Sequence, residues 1–231
     1  MKTKTCFAFY LLLLSILFAS NLPAQEDDWP EINEDGLHRI TDSKAAIVYA
    51  APGASLAGYG RVMLMEPEVS FKKDWERDLR SGSVSKLSTS SRVNTTRIKQ
   101  QLADEFMTVF TEKLTASGYE IVDEADGDVL QVAPAIINLA INAPETVGAG
   151  RTNQYVKSAG EMTLSVELYD SVTGDLIAKA IDRQVDKEDN RMYTWANSST
   201  NKVAADLILN GWADILVTAL DEAKTYTPAT E

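Results

Sequence analysis

The chain contains few residues whose types and spacing point to chemistry, and its single histidine is the first of them. His38 follows Asp35-Gly36-Leu37 near the N-terminus. As a general base it would need a nucleophile and an orienting acid that the fold brings to it. No motif places such partners nearby, so we predict an incidental position on the surface and assign no catalytic residue.

Asp123, Glu124, Asp126 and Asp128 form an acidic cluster that suggests calcium binding. A calcium loop of the EF-hand type has oxygen ligands at its first, third and fifth positions and glycine at the sixth. When Gly127 is set at the sixth position, Val122 falls on the first and offers no side-chain oxygen. The motif fails, so we predict a solvated turn and no metal site.

Gly148-Ala149-Gly150 lacks the lysine and serine that follow the glycines of a phosphate-binding loop. The element predicted after it is a strand, so no helix N-terminus would face an anion. We therefore predict a connecting loop over residues 144–160 and no cofactor.

Two loops are candidate contact sites for a partner. Residues 72–93 are rich in serine and in basic side chains, which suits docking of an acidic partner or of lipid headgroups, although a solvated surface is the commoner role. Residues 144–160 are the second candidate, because long loops often carry binding residues. Trp75 and Trp195 have polar neighbours and could anchor a partner, with core packing as the alternative.

The N-terminus has the pattern of an export signal. Lys2 and Lys4 precede an apolar stretch from Cys6 to Ala19, and Ala24 offers a small residue for cleavage. The stretch would form about 21 Å of helix, short of the roughly 30 Å hydrocarbon core of a bilayer. We predict a signal peptide over residues 1–24, cleaved after Ala24 or, as second choice, after Ala19.

Composition limits the chemistry further. Cys6 is the only cysteine, so the exported chain would have no disulfide, no thiolate metal site and no cysteine at the cleavage site to carry a lipid. The formal net charge of −12 argues against nucleic acid as a partner. No later stretch is apolar enough over about 18 residues to predict a transmembrane segment. We expect a periplasmic or secreted protein.

Apolar residues that recur with a period of two predict the strands. The predicted strands cover residues 45–49, 61–71 with a bulge or a bend at Pro67, 119–122, 129–141 with a kink at Pro134, 162–169 and 176–185. A turn over residues 170–175 joins the last two strands into a hairpin.

Two helices are predicted from apolar residues spaced three and four apart. The first has Asn94 or Thr95 as its N-cap and Gly118 at its end, and its apolar face consists of Ile98, Leu102, Phe106, Val109, Phe110 and Leu114. The second begins after Asn197-Ser198, and its predicted buried residues are Ala204, Leu207, Ile208, Trp212, Ile215, Leu216, Ala219 and Leu220. Both asparagines match a glycosylation acceptor, but helix capping explains them.

This order of elements predicts an α+β protein. The predicted architecture is a two-layer sandwich, with one mixed, mostly antiparallel sheet of about five strands and two main helices on one face. The first helix and its flanking strands would form a right-handed βαβ unit. A partly closed barrel plugged by a helix is the alternative. We expect an acidic N-terminal arm with a short strand over residues 25–60, one domain over residues 61–225 and a tail over residues 226–231.

Short motifs recur in order along most of the chain. They are Asp35-Gly36-Leu37, Val48-Tyr49, Pro52-Gly53-Ala54, Tyr59 before the strand of residues 62–69, Ser117-Gly118-Tyr119-Glu120-Ile121-Val122, Gly127-Asp128-Val129-Leu130, and Asp170-Ser171 with Thr173-Gly174. Together they resemble a bacterial envelope family, domain of unknown function 3313. The resemblance implies an exported envelope protein, commonly lipidated, without an established activity or catalytic residues. This chain departs from the pattern because it has no lipid-bearing cysteine.

Three functions remain open. The leading hypothesis is a periplasmic, non-enzymatic binding or accessory protein that contacts an envelope partner through loops or an exposed sheet edge. The alternatives are a hydrolase that uses carboxylates and His38, and a carrier that holds a small apolar ligand between sheet and helices.

Overall fold

A computed structural model describes residues 29–77, 94–141, 155–156, 160–185, 194–195 and 198–225. Its strands are β1 (His38–Ile40), β2 (Ile47–Ala50), β3 (Arg61–Leu64), β4 (Glu68–Phe71), β5 (Glu120–Ile121), β6 (Val129–Ile141), β7 (Tyr155–Val156), β8 (Gly160–Asp170), β9 (Leu176–Val185) and β10 (Thr194–Trp195). Its long helices are α1 (Thr95–Ala116) and α2 (Ser198–Thr225), and a further helical turn begins at Trp75. The chain divides into an N-terminal unit, Met1–Pro30, and a unit that holds all these elements, Glu31–Glu231.

Eight of the described strands form one mixed sheet in the order β1-β2-β9-β8-β6-β3-β5, with β4 also paired to β6. The pairs from β1 across to β6 are antiparallel, whereas β3 and β4 run parallel to β6 and β3 runs parallel to β5. The α+β class is confirmed, but the predicted number of about five strands is wrong. Pro67 splits one predicted strand into β3 and β4, and β1 is too short to show a period. The two-layer arrangement stays a prediction.

The predicted N-terminal arm contributes β1 and β2 to this sheet, through the pairing of β2 with β9. A turn at Asn33 folds the preceding chain back along β1. The Oδ1 atom of Asn33 accepts hydrogen bonds from the amides of Asp35 (3.0 Å) and Leu37 (2.9 Å), and Ile32 forms a β-bridge with His38. The chain is therefore held at the sheet edge from residue 31 onward.

Helix α1 begins and ends at the predicted residues. The side chain of Asn94 accepts a 3.0 Å hydrogen bond from the third helical amide. At the other end, the amide of Gly118 donates to the carbonyl of Thr115 and that of Tyr119 to the carbonyl of Leu114, both at 3.0 Å. Gly118 has a φ of +88°, so this is a Schellman cap that needs the left-handed glycine conformation. The buried face consists of Leu102, Ala103, Phe106, Val109, Phe110 and Leu114.

Strand β6 runs unbroken through the centre of the sheet despite Pro134. The carbonyl of Val132 accepts from Met65, so alternate residues of β6, Pro134 included, direct their main-chain polar groups toward β3 and β4. The missing amide of Pro134 thus falls where β3 has ended and β4 has barely begun, which is where a proline is tolerated. The irregularity that we expected at Pro134 lies instead at Asn138, whose φ is +54°.

Helix α2 shares the core with α1 and the sheet. Its buried residues are Leu209, Trp212, Ala213, Leu216 and Leu220. The predictions that Leu207 and Ala219 are buried are wrong, because both side chains are exposed, that of Leu207 to 69%. Leu207 is two residues from Leu209 and so lies about 200° around the helix. Leu207 lies on the side of α2 that also carries Asp206, Asn210 and Asp214, which are spaced four residues apart.

Within the described residues, Lys202–Lys224 is one helix long and apolar enough to cross a membrane by length and composition alone. A helix that packs in a protein core passes the same test, and the buried residues of α2 belong to the core.

Candidate interaction surface

The two loops predicted to contact a partner begin at the same end of the sheet. Phe71, the last residue of β4, lies opposite Leu139 near the end of β6. Ile141, the last residue of β6, lies opposite Gly160 at the start of β8, and β9 ends beside that strand. We call this edge the loop end. The segments of residues 72–93 and 144–160 leave the described chain here, and most of their residues lie outside the described part.

Trp75 joins the starts of these two loops. Its indole stacks on Phe71 with ring centroids 4.4 Å apart, and its Nε1 donates a 3.1 Å hydrogen bond to the carbonyl of Ile141. The side chain is only 6% exposed. Of the two roles considered for Trp75, packing is therefore the one observed, and it holds the ends of β4 and β6 together.

A charged cluster of Lys72, Glu161 and Arg183 lies at the loop end. Glu161 accepts a 2.6 Å hydrogen bond from Lys72 Nζ and forms an ion pair with the guanidinium of Arg183. These contacts, with Lys72 as the largest cause, hold the pKa of Glu161 below its ordinary value. The cluster therefore carries two cations on one carboxylate that stays ionised.

Helix α2 begins at the loop end as well. Ion pairs join Lys202 to Glu105 and Lys113 to Asp214, so α1 and α2 run in the same direction. The C-terminus of α1 leads directly into β5, which pairs with the start of β3, at the end of the sheet away from the loop end. Both helices therefore begin near the loop end. The first turns of α2 expose two apolar residues, Val203 (58%) and Leu207 (69%).

The other end of the sheet, which we call the turn end, is tied together by ionic contacts. The guanidinium of Arg61 bonds both carboxylate oxygens of Asp128 and, at 2.7 Å, Oδ2 of Asp126. The hydrogen bonds from Arg61 hold the pKa of both aspartates below the ordinary value. The acidic cluster considered for calcium therefore binds an arginine through two of its carboxylates, while Asp123 and Glu124 are exposed.

Motif residues that carried the family resemblance meet at the turn end. The hydroxyl of Tyr59 donates a 2.7 Å hydrogen bond to Asp170, whose other oxygen accepts from the amides of Val172 and Thr173. Burial, with help from Asp170, raises the pKa of Tyr59 to about 12. The amides of the turn and Tyr59 lower the pKa of Asp170. These motifs thus stabilise the hairpin turn between β8 and β9.

Of the remaining candidates, the structure places His38 and Trp195. His38 lies exposed in β1, at the edge of the sheet. Gly148-Ala149-Gly150 lies outside the described residues, and Trp195 in β10 lies opposite Tyr155 of β7, within the predicted loop of residues 144–160. Among the residues that the structure describes, no three acidic, histidine or cysteine side chains are grouped to hold a metal ion.

Sequence reasoning did not single out Glu161, Arg183 or Asp182. Glu161 and Arg183 come from adjacent strands and meet only through the pairing of β8 with β9. Asp182 occupies an inward position of β9, in phase with Ala178 and Ala180, and is buried. This inward position in the alternating pattern of β9 is the sequence signal that could have identified Asp182, because a charged residue at a core position of an amphipathic strand requires specific partners.

Comparison with known proteins bears on the family. A family model described as "Protein of unknown function (DUF3313)" matches residues 32–216. No curated protein has a sequence that matches this chain.

Three solved structures are similar in part. The PelC dodecamer from Paraburkholderia phytofirmans is 12% identical, with 73% of this chain and 95% of that chain covered and a TM-score of 0.35. A minor lipoprotein from Acinetobacter baumannii is 10% identical over 71% and 94%, with a TM-score of 0.35. A Xanthomonas campestris protein of the DUF330 model is 10% identical over 75% and 93%, with a TM-score of 0.41. Identities and TM-scores this low do not bear on function.

Proposed function

This chain belongs to the DUF3313 family of proteins of unknown function, and from that premise we propose that it is an exported, non-enzymatic protein that contacts a partner in the cell envelope through its loop end. Export is supported by the charged, apolar and small-residue regions of residues 1–24. Release as a protein without a lipid anchor is supported by the absence of any cysteine after Cys6.

The observation that carries the proposal is that the segments of residues 72–93 and 144–160 follow two strands, β4 and β6, that end at one edge of the sheet. Loops concentrate binding residues where a rigid scaffold positions them. Here the scaffold consists of the ends of β4 and β6, which the hydrogen bond from Trp75 joins. The exposed cations Lys72 and Arg183 lie at the same end of the sheet.

A non-enzymatic role is supported by how the acidic side chains are used. Asp126 and Asp128 bind Arg61, and Asp170 binds Tyr59 and the turn amides. Carboxylates that are held in this way have depressed pKa values, the opposite of the raised values that a general acid needs at neutral pH.

Site-directed crosslinking tests the contact, because the exported chain carries no cysteine of its own. Lys73→Cys places one thiol at the loop end, and Val172→Cys places one at the exposed turn end as the matched control. Each variant is exported in its native host and treated with a thiol crosslinker. We expect one discrete, reproducible adduct from Lys73→Cys and none from Val172→Cys. Equal adducts from both positions, or none from either, would contradict a contact at the loop end.

Export is tested separately by the N-terminus of the protein purified from native cells. We expect an intact mass that begins at Gln25 or, with the second cleavage site, at Ser20, in the periplasmic fraction. A mass that includes residues 1–19, in the membrane fraction, would contradict export as a soluble chain.

A further inference from the structure

We propose that Lys72 and Arg183 form a docking surface for an acidic, extended protein segment of the envelope partner. The inference rests on the proposed function and names the chemistry of the partner at the same loop end.

The geometry of the cluster carries the proposal. Glu161 is 18% exposed and sits between the two cations, whereas Lys72 is 50% exposed and Arg183 is 60% exposed. The half-buried carboxylate fixes the inner side of each cation and leaves the outer side open to solvent. Since one negative charge is set against two positive charges, the cluster keeps an unbalanced positive charge.

The fixed positions of these side chains favour binding. Lysine and arginine lose considerable rotamer freedom when they bind a ligand, and here part of that loss has already occurred through contact with Glu161. A guanidinium has five N–H donors, so Arg183 can bond Glu161 and still present donors to a second carboxylate. Lys73, exposed and next in sequence to Lys72, adds a further cation.

Charge on the rest of the molecule selects a protein segment over a membrane surface. The whole chain carries a formal net charge of −12. An anionic bilayer is an extended surface, and approach to it would bring much of this acidic protein within the roughly 8 Å over which charges interact at physiological salt. A narrow acidic peptide contacts only the cluster and avoids most of that repulsion.

The binding test uses the full chain, exported and purified, and a short peptide of alternating Asp and Gly residues as the probe. The variant Lys72→Gln with Arg183→Gln removes both cations of the cluster. The control variant Lys44→Gln with Lys113→Gln removes the same charge from two other ion pairs. We expect the first variant to weaken peptide binding about tenfold and the control to change it less than about twofold.

A second pair of variants tests the same idea in the opposite direction. Glu161→Gln removes the negative charge that competes for the two cations, while the amide oxygen still accepts hydrogen bonds that hold them in position, so we expect tighter binding of the acidic peptide. Glu112→Gln makes the same change in net charge on the exposed side of α1 and should leave the affinity unchanged. Circular dichroism of every variant confirms that it is folded.

Several outcomes would overturn the proposal. They are equal losses in the two double variants, no binding of the acidic peptide by the unchanged protein, and preferential binding to phosphatidylglycerol vesicles that Lys72→Gln with Arg183→Gln abolishes. A discrete Lys73→Cys adduct together with no peptide binding would reject the acidic segment but leave the contact at the loop end intact. Loss of both would reject the proposed function itself.

Discussion

The indole Nε1 of Trp212 donates a 2.8 Å hydrogen bond to Oδ2 of Asp182 in the interior, and this contact joins α2 to β9. Asp182 is 8% exposed, and it also accepts hydrogen bonds from the Gln184 side chain (2.6 Å) and from the amide of Ala46 (3.0 Å) just before β2. One carboxylate therefore connects the helix, the sheet and the N-terminal strands.

We predict that Asp182→Ala lowers the free energy of unfolding by about 3 kcal/mol, because it leaves the buried indole and amide donors without acceptors. Asp123→Ala, at an exposed position, should change it by less than about 0.5 kcal/mol. Urea denaturation of both variants measures the difference. Equal stability of the two variants would show that Asp182 does not hold these elements together.

Truncation of two leucines of α2, two residues apart, should lower the free energy of unfolding by very different amounts. Leu209 is fully buried and Leu207 is 69% exposed. We expect Leu209→Ala to cost about 2–5 kcal/mol through lost burial and a cavity, and Leu207→Ala less than about 0.5 kcal/mol. Thermal and urea unfolding provide the comparison, and a large cost at Leu207 would mean that a partner or a second copy covers this face in solution.

Gly160 is required by a close approach of two main chains. A Cβ at this position would lie 2.3 Å from the carbonyl oxygen of Ala140 on β6. We predict that Gly160→Ala costs about 1–3 kcal/mol, because neither backbone can move without breaking the pairing of β6 and β8. Gly127→Ala is the control, since a Cβ there meets no atom within 4 Å. That substitution should be neutral or stabilising by up to about 1 kcal/mol.

Acid should weaken the turn end in a way that depends on Arg61. In the native state Arg61 holds the pKa of Asp126 and Asp128 below 3.8. Their contribution to stability is therefore present above about pH 4 and is lost as pH falls through the native values, because the unfolded state then binds more protons. Unfolding free energies measured in urea should fall from about pH 5 downward.

The variant Arg61→Gln should make that decline shallower, since it removes the cause of the lowered pKa values. Lys44→Gln, which breaks a more exposed ion pair, should leave the slope unchanged. The same slope in all three proteins would assign the acid sensitivity to other groups.

The sequence predicted those elements whose determining residues lie close together in the chain. Asn94, Gly118 and the apolar residues between them define α1, because the caps and the buried face repeat within a few residues. The hairpin of β8 and β9 was likewise predictable, since Asp170 and Gly174 fix its turn. The same holds for the length of β6, where Val and Ile residues outweigh a single proline.

Tertiary structure alone decided which distant residues meet. Glu161 contacts Lys72 and Arg183 because parallel and antiparallel pairing bring three strand ends to one edge, and no local pattern encodes that pairing. The burial of individual α2 residues was predictable only in part: Asp206, Asn210 and Asp214 mark a polar side of the helix, and the exposed Leu207 lies on that side. The sequence by itself therefore determined the two long helices, the main strands, the acidic charge and the absence of cysteine after Cys6. The fold determined the loop end, because that surface consists of residues far apart in the chain.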